Sequence, residues 1–114
     1  MHEMGIVQSI IDIVEQEMER HGVDKLKKIH LSVGKMTAIV PEQMTFCFGV
    51  LTEDGKLAGA ELEIRIVPIT YRCRDCSAEF VSKGISERCA RCGGENIEMI
   101  SGRELKIESI EVAD

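Results

Sequence analysis

Four of the five cysteines form two closely spaced pairs. The pairs read Cys73-Arg-Asp-Cys76 and Cys89-Ala-Arg-Cys92, with twelve residues between them. A Cys-x-x-Cys turn directs both sulfur atoms towards one point, so two such turns joined by a short loop suit a tetrahedral site with four thiolate ligands. Zinc is the usual occupant, and the pattern predicts a structural zinc site at these four cysteines.

Other chemistries are compatible with the same cysteines. Iron also accepts tetrahedral sulfur ligands, which would make the segment a rubredoxin-like electron carrier. A redox dithiol fits less well, since no thioredoxin-like strand and helix surround the pairs. A four-sulfur site has no open position, and no nucleophile–base pair is evident, so the sequence argues against an enzyme. The fifth cysteine, Cys47, is predicted to be an inert thiol in the core.

A second candidate metal site is the start of the sequence, Met1-His2-Glu3. The α-amine, the backbone nitrogen of His2 and its imidazole can close two fused chelate rings around one ion. Glu3 can add its own amide nitrogen or its carboxylate. Such a planar, nitrogen-rich set suits Ni(II) or Cu(II) better than zinc or calcium. A solvated histidine without a ligand role is the alternative, and the residue types alone do not decide between them.

The composition limits the partners. The chain has 114 residues, 20 acidic against 14 basic, and a formal net charge of −6. This balance argues against broad binding to nucleic acid, although four arginines near the cysteines keep a zinc-ribbon module for nucleic acid or regulation as the alternative function. These arginines are Arg72, Arg74, Arg88 and Arg91. Solvated roles are expected for His21 and His30.

The opening residues lack a basic start and an unbroken apolar stretch, and no apolar run approaches the roughly 20 residues of a membrane span. The sequence therefore favours the cytoplasm and no membrane association. In that reducing compartment cysteines are read as metal ligands or thiols before disulfides.

Helical spacing of apolar residues marks two segments that must position these sites. One runs from Met4 to about His21, and the other begins at Pro41 and closes at Asp54-Gly55. The apolar positions are Val7, Ile10, Ile11, Val14 and Met18 in the first and Met44, Cys47, Phe48 and Leu51 in the second.

Alternation of apolar and polar residues predicts three strands, around Ile29–Val33, Leu62–Ile66 and Leu105–Val112. The predicted fold is therefore α+β, with two helices on one face of a three-stranded sheet and an inserted zinc-ribbon subdomain. The core comprises residues 1–70 plus 103–114, and the ribbon comprises residues 71–102, with a short hairpin expected at about residues 79–87.

The combination resembles the HypA family of hydrogenase nickel-insertion proteins. The stretches that carry the resemblance are MHEMGIVQSI, IHLSVGKM, PEQMTFCF and YRCRDC…ERCARCGG. The resemblance implies a nickel metallochaperone that serves maturation of [NiFe]-hydrogenase, and in some organisms urease. Its nickel site maps onto Met1, His2 and Glu3, and its structural zinc site onto the four paired cysteines.

The resemblance also implies partners. These are a HypB-type GTPase and the precursor of the hydrogenase large subunit, and the family further allows a homodimer. Some members carry histidines near the ribbon that tune zinc or touch nickel. This chain has no histidine after His30, which argues against a nickel ligand from the ribbon.

Overall fold

The structure is a computed structural model, and it describes residues 3–114. Its helices are α1 (Glu3–Arg20) and α2 (Pro41–Leu51), and a 3-10 turn spans Lys35–Thr37. Its strands are β1 (Leu26–Gly34), β2 (Glu61–Val67), β3 (Ile69–Cys73), β4 (Glu79–Ser82), β5 (Ile97–Ser101) and β6 (Leu105–Val112). The predicted α+β class with two helices and an inserted ribbon is confirmed.

α1 is an amphipathic helix whose five predicted apolar positions are all buried. It ends where Gly22 takes a left-handed φ of 67°, a conformation that glycine adopts without strain. α2 begins with Pro41, whose fixed φ suits the first helical turn, and its residues Met44, Cys47 and Phe48 are buried. Cys47 is thus in the core, as predicted.

The chain folds into two compact units. The described part of the first comprises residues 3–31, 39–65 and 106–114. Here α1 packs on α2, and the core includes Leu26, Ile29 and Leu31 of β1. The three predicted strands form one sheet in the order β2-β1-β6, with β1 at its centre.

The second unit comprises residues 32–38 and 66–105 and contains a separate three-stranded sheet in the order β4-β3-β5. β3 pairs antiparallel with both neighbours, and Tyr71 at its centre stacks on Phe80 of β4 with ring centroids 5.7 Å apart. The hairpin expected within residues 79–87 is therefore wrong. β4 pairs with β3 instead, because the chain resumes an extended conformation at Ile69, directly after Pro68.

Candidate metal centres

The four paired cysteines converge in the second unit. Their sulfur atoms all lie within 4.8 Å of one another. The Sγ atoms of Cys73 and Cys92 are 3.7 Å apart, and those of Cys76 and Cys89 are 3.6 Å apart. Four Zn–S bonds of about 2.3 Å in a tetrahedron separate the sulfurs by roughly 3.8 Å, so the cluster has the dimensions of a zinc tetrathiolate site.

Two backbone turns of the same design present these sulfurs. In the first, the Cys73 N–H donates to Ala78 O and the Ser77 N–H donates to Cys73 O, both at 2.9 Å. In the second, the Cys89 N–H donates to Gly94 O at 2.8 Å and the Gly93 N–H donates to Cys89 O at 2.9 Å. Ser77 and Gly93 hold equivalent positions, with left-handed φ values of 63° and 75°.

Hydrogen bonds to sulfur make the four thiols unequal. The N–H groups of Cys92 and Arg91 donate to Cys89 Sγ at 3.4 and 3.3 Å and lower the pKa of Cys89 to about 6. The Gly94 N–H also acts to lower the pKa of Cys92, but the neighbouring sulfurs of Cys73 and Cys89 outweigh it and raise that pKa to about 12. Loss of the Cys92 proton at neutral pH therefore needs a cation among the sulfurs.

The cluster is closed on one side and open on the other. Cys73 and Cys89 are buried, Cys76 is half-buried, and Cys92 is exposed. Four soft sulfur donors at this spacing fit a tetrahedral zinc or iron site, which would leave no coordination position for a substrate.

Three of the four arginines near the cysteines form ion pairs. The contacts are Arg72–Glu79 at 2.7 Å, Arg74–Glu98 at 2.7 Å and Arg88–Glu95 at 3.1 Å. A guanidinium group that already faces a carboxylate offers less attraction to a phosphate backbone. These ion pairs therefore argue against a nucleic-acid interface on the ribbon.

The candidate nickel motif falls only partly within the structure. Met1 and His2 lie outside the described residues. Glu3 is the first residue of α1, and its carboxylate accepts a hydrogen bond from the Val40 N–H at 3.3 Å. Val40 directly precedes α2, so the Glu3 side chain links the start of α1 to the start of α2.

The other two histidines contact carboxylates. His21 is exposed and lies 3.4 Å from Glu17 on the preceding turn of α1. The expectation of a solvated His30 is wrong, because its ring lies between two strands: Nδ1 is 2.7 Å from Glu63 of β2, and Nε2 contacts Glu111 of β6. The two carboxylates face opposite ring nitrogens and cannot converge on one ion.

The contacts of His30 with Glu63 and Glu111 are not evident from the sequence. The sequence shows only that each of the three residues occupies a polar position of a predicted strand. Only the strand order, with β1 in the middle, brings the two glutamates to either side of the histidine. Among residues 3–114, the four cysteines are the one group of at least three ligand residues arranged to hold a metal ion.

Comparisons with known proteins agree with this arrangement. The family model described as "Hydrogenase/urease nickel incorporation, metallochaperone, hypA" matches residues 1–112. A protein from Desulfatibacillum aliphaticivorans named hydrogenase maturation factor HypA is 43% identical over all of this chain and 88% of its own length. The protein of the same name from Desulfosudis oleivorans is 41% identical over the full length of both chains.

The fold has solved counterparts. The solution structure of the Ni metallochaperone HypA from Helicobacter pylori superposes with a TM-score of 0.68, covering 98% of this chain and 97% of that one at 24% identity. No helix within residues 3–114 is long and apolar enough to span a bilayer.

The family consists of metallochaperones, so the prediction that the chain is not an enzyme is confirmed. The family match includes the Met1-His2-Glu3 stretch as well as all four clustered cysteines. The chain therefore belongs to the HypA family of nickel-incorporation metallochaperones for hydrogenase maturation.

Proposed function

We propose that this metallochaperone carries Ni(II) on its first three residues and hands it on by ligand exchange, while a structural zinc ion holds the ribbon. The proposed ligands are Met1, His2 and Glu3 for nickel and Cys73, Cys76, Cys89 and Cys92 for zinc. The observation that carries the proposal is the family match over residues 1–112, which starts at the chelating motif. Residues 1–70 with 103–114 would form the nickel-binding core and residues 71–102 the zinc ribbon.

The chemistry of the donors supports this division. The four sulfur atoms, which all lie within 4.8 Å of one another, could fill every position of a tetrahedral ion, which suits a resident ion that contributes folding free energy. The nitrogen-rich chain start suits a square-planar ion at an accessible position. α1 begins at Glu3, so nickel would lie beside the partial positive charge of a helix N-terminus, which weakens cation binding and favours release.

The proposed recipients follow from the family. Nickel would pass to the precursor of the [NiFe]-hydrogenase large subunit, with a HypB-type GTPase as the working partner, in the cytoplasm. The family description also includes urease, which makes urease a second proposed recipient. A homodimer is part of the same proposal.

Nickel titration of untagged protein, followed by absorbance and accompanied by zinc analysis, tests the ligand assignment. His2→Ala should abolish nickel binding and leave bound zinc and the fold unchanged. His21→Ala is the matched control, because it removes an exposed histidine from the far end of α1. Equal nickel affinity in wild type and His2→Ala would refute the assignment.

The role of the α-amine has a separate test. An N-terminal extension that converts the amine into an amide should weaken nickel binding sharply, because the amide nitrogen no longer carries a free lone pair. Equal nickel affinity with and without the extension would show that the amine is not a ligand.

A further inference from the structure

The outer face of α2 presents two large apolar side chains to solvent. Phe46 is 70% exposed and Val50, one helical turn later, is 44% exposed. Residues four apart on a helix lie side by side, so the two form one continuous apolar strip. The inner face of the helix is already packed, with Met44, Cys47 and Phe48 buried. Core formation therefore does not account for the strip.

The surroundings of the strip leave room for another chain. A Cβ atom added at Gly49 would meet nothing within 4 Å, so the helix surface beside Phe46 is open. Because glycine has no side chain, a partner can approach the helix backbone closely there. A phenylalanine exposed beside such a flat position is typical of a docking surface rather than of a solvated helix face.

Acidic side chains stand close to both ends of the strip in the sequence. Between Met36 and Gly55 the sequence has three acidic residues, all exposed, and the nearest basic residues are Lys35 and Lys56, which flank this segment. The acids are Glu42, Glu53 and Asp54. Glu42 lies one turn before Phe46, and Glu53 lies three residues after Val50. Within residues 3–114 none of the three forms an ion pair, so their charge is available to a partner.

The start of α2 contacts the first residue of α1. Val40, which precedes α2, is partly exposed and donates its N–H to the Glu3 carboxylate. The helix rises about 1.5 Å per residue, so Phe46 lies roughly 9 Å along the axis from Val40. A protein docked on α2 would therefore lie next to the first residue of α1.

We propose that the outer face of α2 with Glu53 just beyond its end, a surface defined by Glu42, Phe46, Gly49, Val50 and Glu53, docks an apolar segment that carries lysine or arginine side chains on the protein that receives nickel. The role in transfer depends on the proposed function, whereas the chemistry of docking does not. A second copy of this chain is a poor occupant. Symmetric self-association would bring the same acidic groups face to face, and like charges across an interface oppose binding.

The docking chemistry can be tested with a defined probe. The probe is an amphipathic helical peptide of leucine and lysine, about 15 residues long to match the length of α2. A peptide of the same pattern with glutamate in place of lysine is its control. Titration of isotope-labelled full-length protein by NMR should shift the amide signals of α2 with the lysine peptide only.

Variants then locate the contact. Phe46→Ser should weaken binding of the lysine peptide about tenfold or more, as loss of a central aromatic anchor does. Ile85→Ser is the matched control, because Ile85 is 80% exposed on the other unit and should leave affinity unchanged. Neutralising Glu42, Glu53 and Asp54 together should also weaken binding and reduce its dependence on salt.

Each result decides the proposal. Absence of α2 shifts at millimolar peptide, shifts centred elsewhere, or equal binding by Phe46→Ser would overturn it. The peptide carries no metal, so failure of nickel to bind the chain start would contradict the proposed function and leave this measurement intact. Phe46→Ser should bind nickel as wild type does, and a loss of nickel affinity in it would show that Phe46 shapes the site instead of docking a partner.

Discussion

At the scale of single residues, the two cysteine turns differ at the position that needs a left-handed backbone. Gly93 fills it in one turn with φ 75°, and Ser77 fills it in the other with φ 63°. The left-handed conformation costs a residue with a side chain about 1–2 kcal/mol. Replacing such a residue with glycine removes this cost, but the greater conformational freedom of glycine in the unfolded chain offsets part of the gain.

We therefore expect Ser77→Gly to raise the free energy of unfolding of the metal-loaded protein by about 0.5 kcal/mol and Gly93→Ser to lower it. Nothing lies within 4 Å of a Cβ built at Gly93, so the second effect would come from the backbone and not from a clash. Urea denaturation of the two variants measures both changes. A destabilised Ser77→Gly would show that the serine side chain matters more than the strain.

His30 is the other residue whose environment leads to a measurable effect. Each ring nitrogen contacts a carboxylate, and only the doubly protonated ring can donate to both Glu63 and Glu111. The hydrogen bond from His30 lowers the pKa of Glu111 below its ordinary value of 4.5, and Lys28 and Lys27 act in the same direction. Lys28 also lies 3.8 and 3.9 Å from Glu61 and Glu63.

The sign of the pH dependence follows from the lowered pKa of Glu111. While His30 is protonated, the stabilisation that follows from this lowered pKa is fully present above the ordinary value of 4.5 and is lost as the pH falls through the lower folded value. We expect the difference in unfolding free energy between wild type and Glu111→Gln to shrink from pH 4.5 downwards. Glu61→Gln, which removes only a long contact to Lys28, is the control. A difference that does not vary with pH would contradict this assignment.

At the scale of secondary structure elements, the end of β1 meets the segment before β6 without space between them. The Met36 N–H donates to Gly102 O at 2.8 Å, and the Gly34 N–H donates to Glu104 O at 2.6 Å. A Cβ atom at Gly34 would lie 2.1 Å from Gly102 O. That contact involves backbone, which cannot move aside as a flexible side chain can.

Gly34→Ala should therefore lower the free energy of unfolding by about 1–3 kcal/mol or more, as overpacking does. The same substitution at Gly49 should raise stability by about 0.5–1 kcal/mol, because alanine favours a helix interior and the position is open. Urea denaturation of both variants provides the comparison. A neutral Gly34→Ala would mean that β1 and residues 102–104 can separate at little cost.

Sequence patterns predict some of the helices and strands and miss others. Helical spacing predicts both helices, and Gly22 and Pro41 predict their limits, because these signals are local. β3 is not predicted, because Pro68 indicates the end of β2 and because the two partners of β3 are separated from it by the cysteine turns, β4 by the first turn and β5 by both. The cysteine site is predictable from spacing alone. The His30 contacts are not, because they depend on strand order.

At the scale of the whole molecule, the two units differ in what holds them together. The first has a core of apolar residues on α1, α2 and β1, whereas the second has few buried apolar side chains. Those of the second unit are Val33, Val67, Ile69 and Tyr71, together with two of its cysteines. So small a core needs an additional constraint, which the proposed zinc ion would supply.

Removal of the metal by a chelator should therefore unfold the second unit selectively. Hydrogen exchange of the backbone amides would show lost protection in β3, β4 and β5, with protection kept in α1 and at Ile29. A Cys73→Ser variant should show the same pattern without a chelator. Equal loss of protection in α1 would show that the two units unfold together.

The central position of β1 also bears on biosynthesis. β6 pairs with β1, yet it is translated after the whole ribbon, and the Ala113 N–H donates to Lys25 O beside the same strand. Until β6 has been made and has paired, one long edge of β1 therefore lacks its partner strand. If the ribbon binds its proposed zinc ion first, metal capture precedes closure of the sheet. Without the ion, the last strand would have to pair with β1 while the insert between them is unfolded.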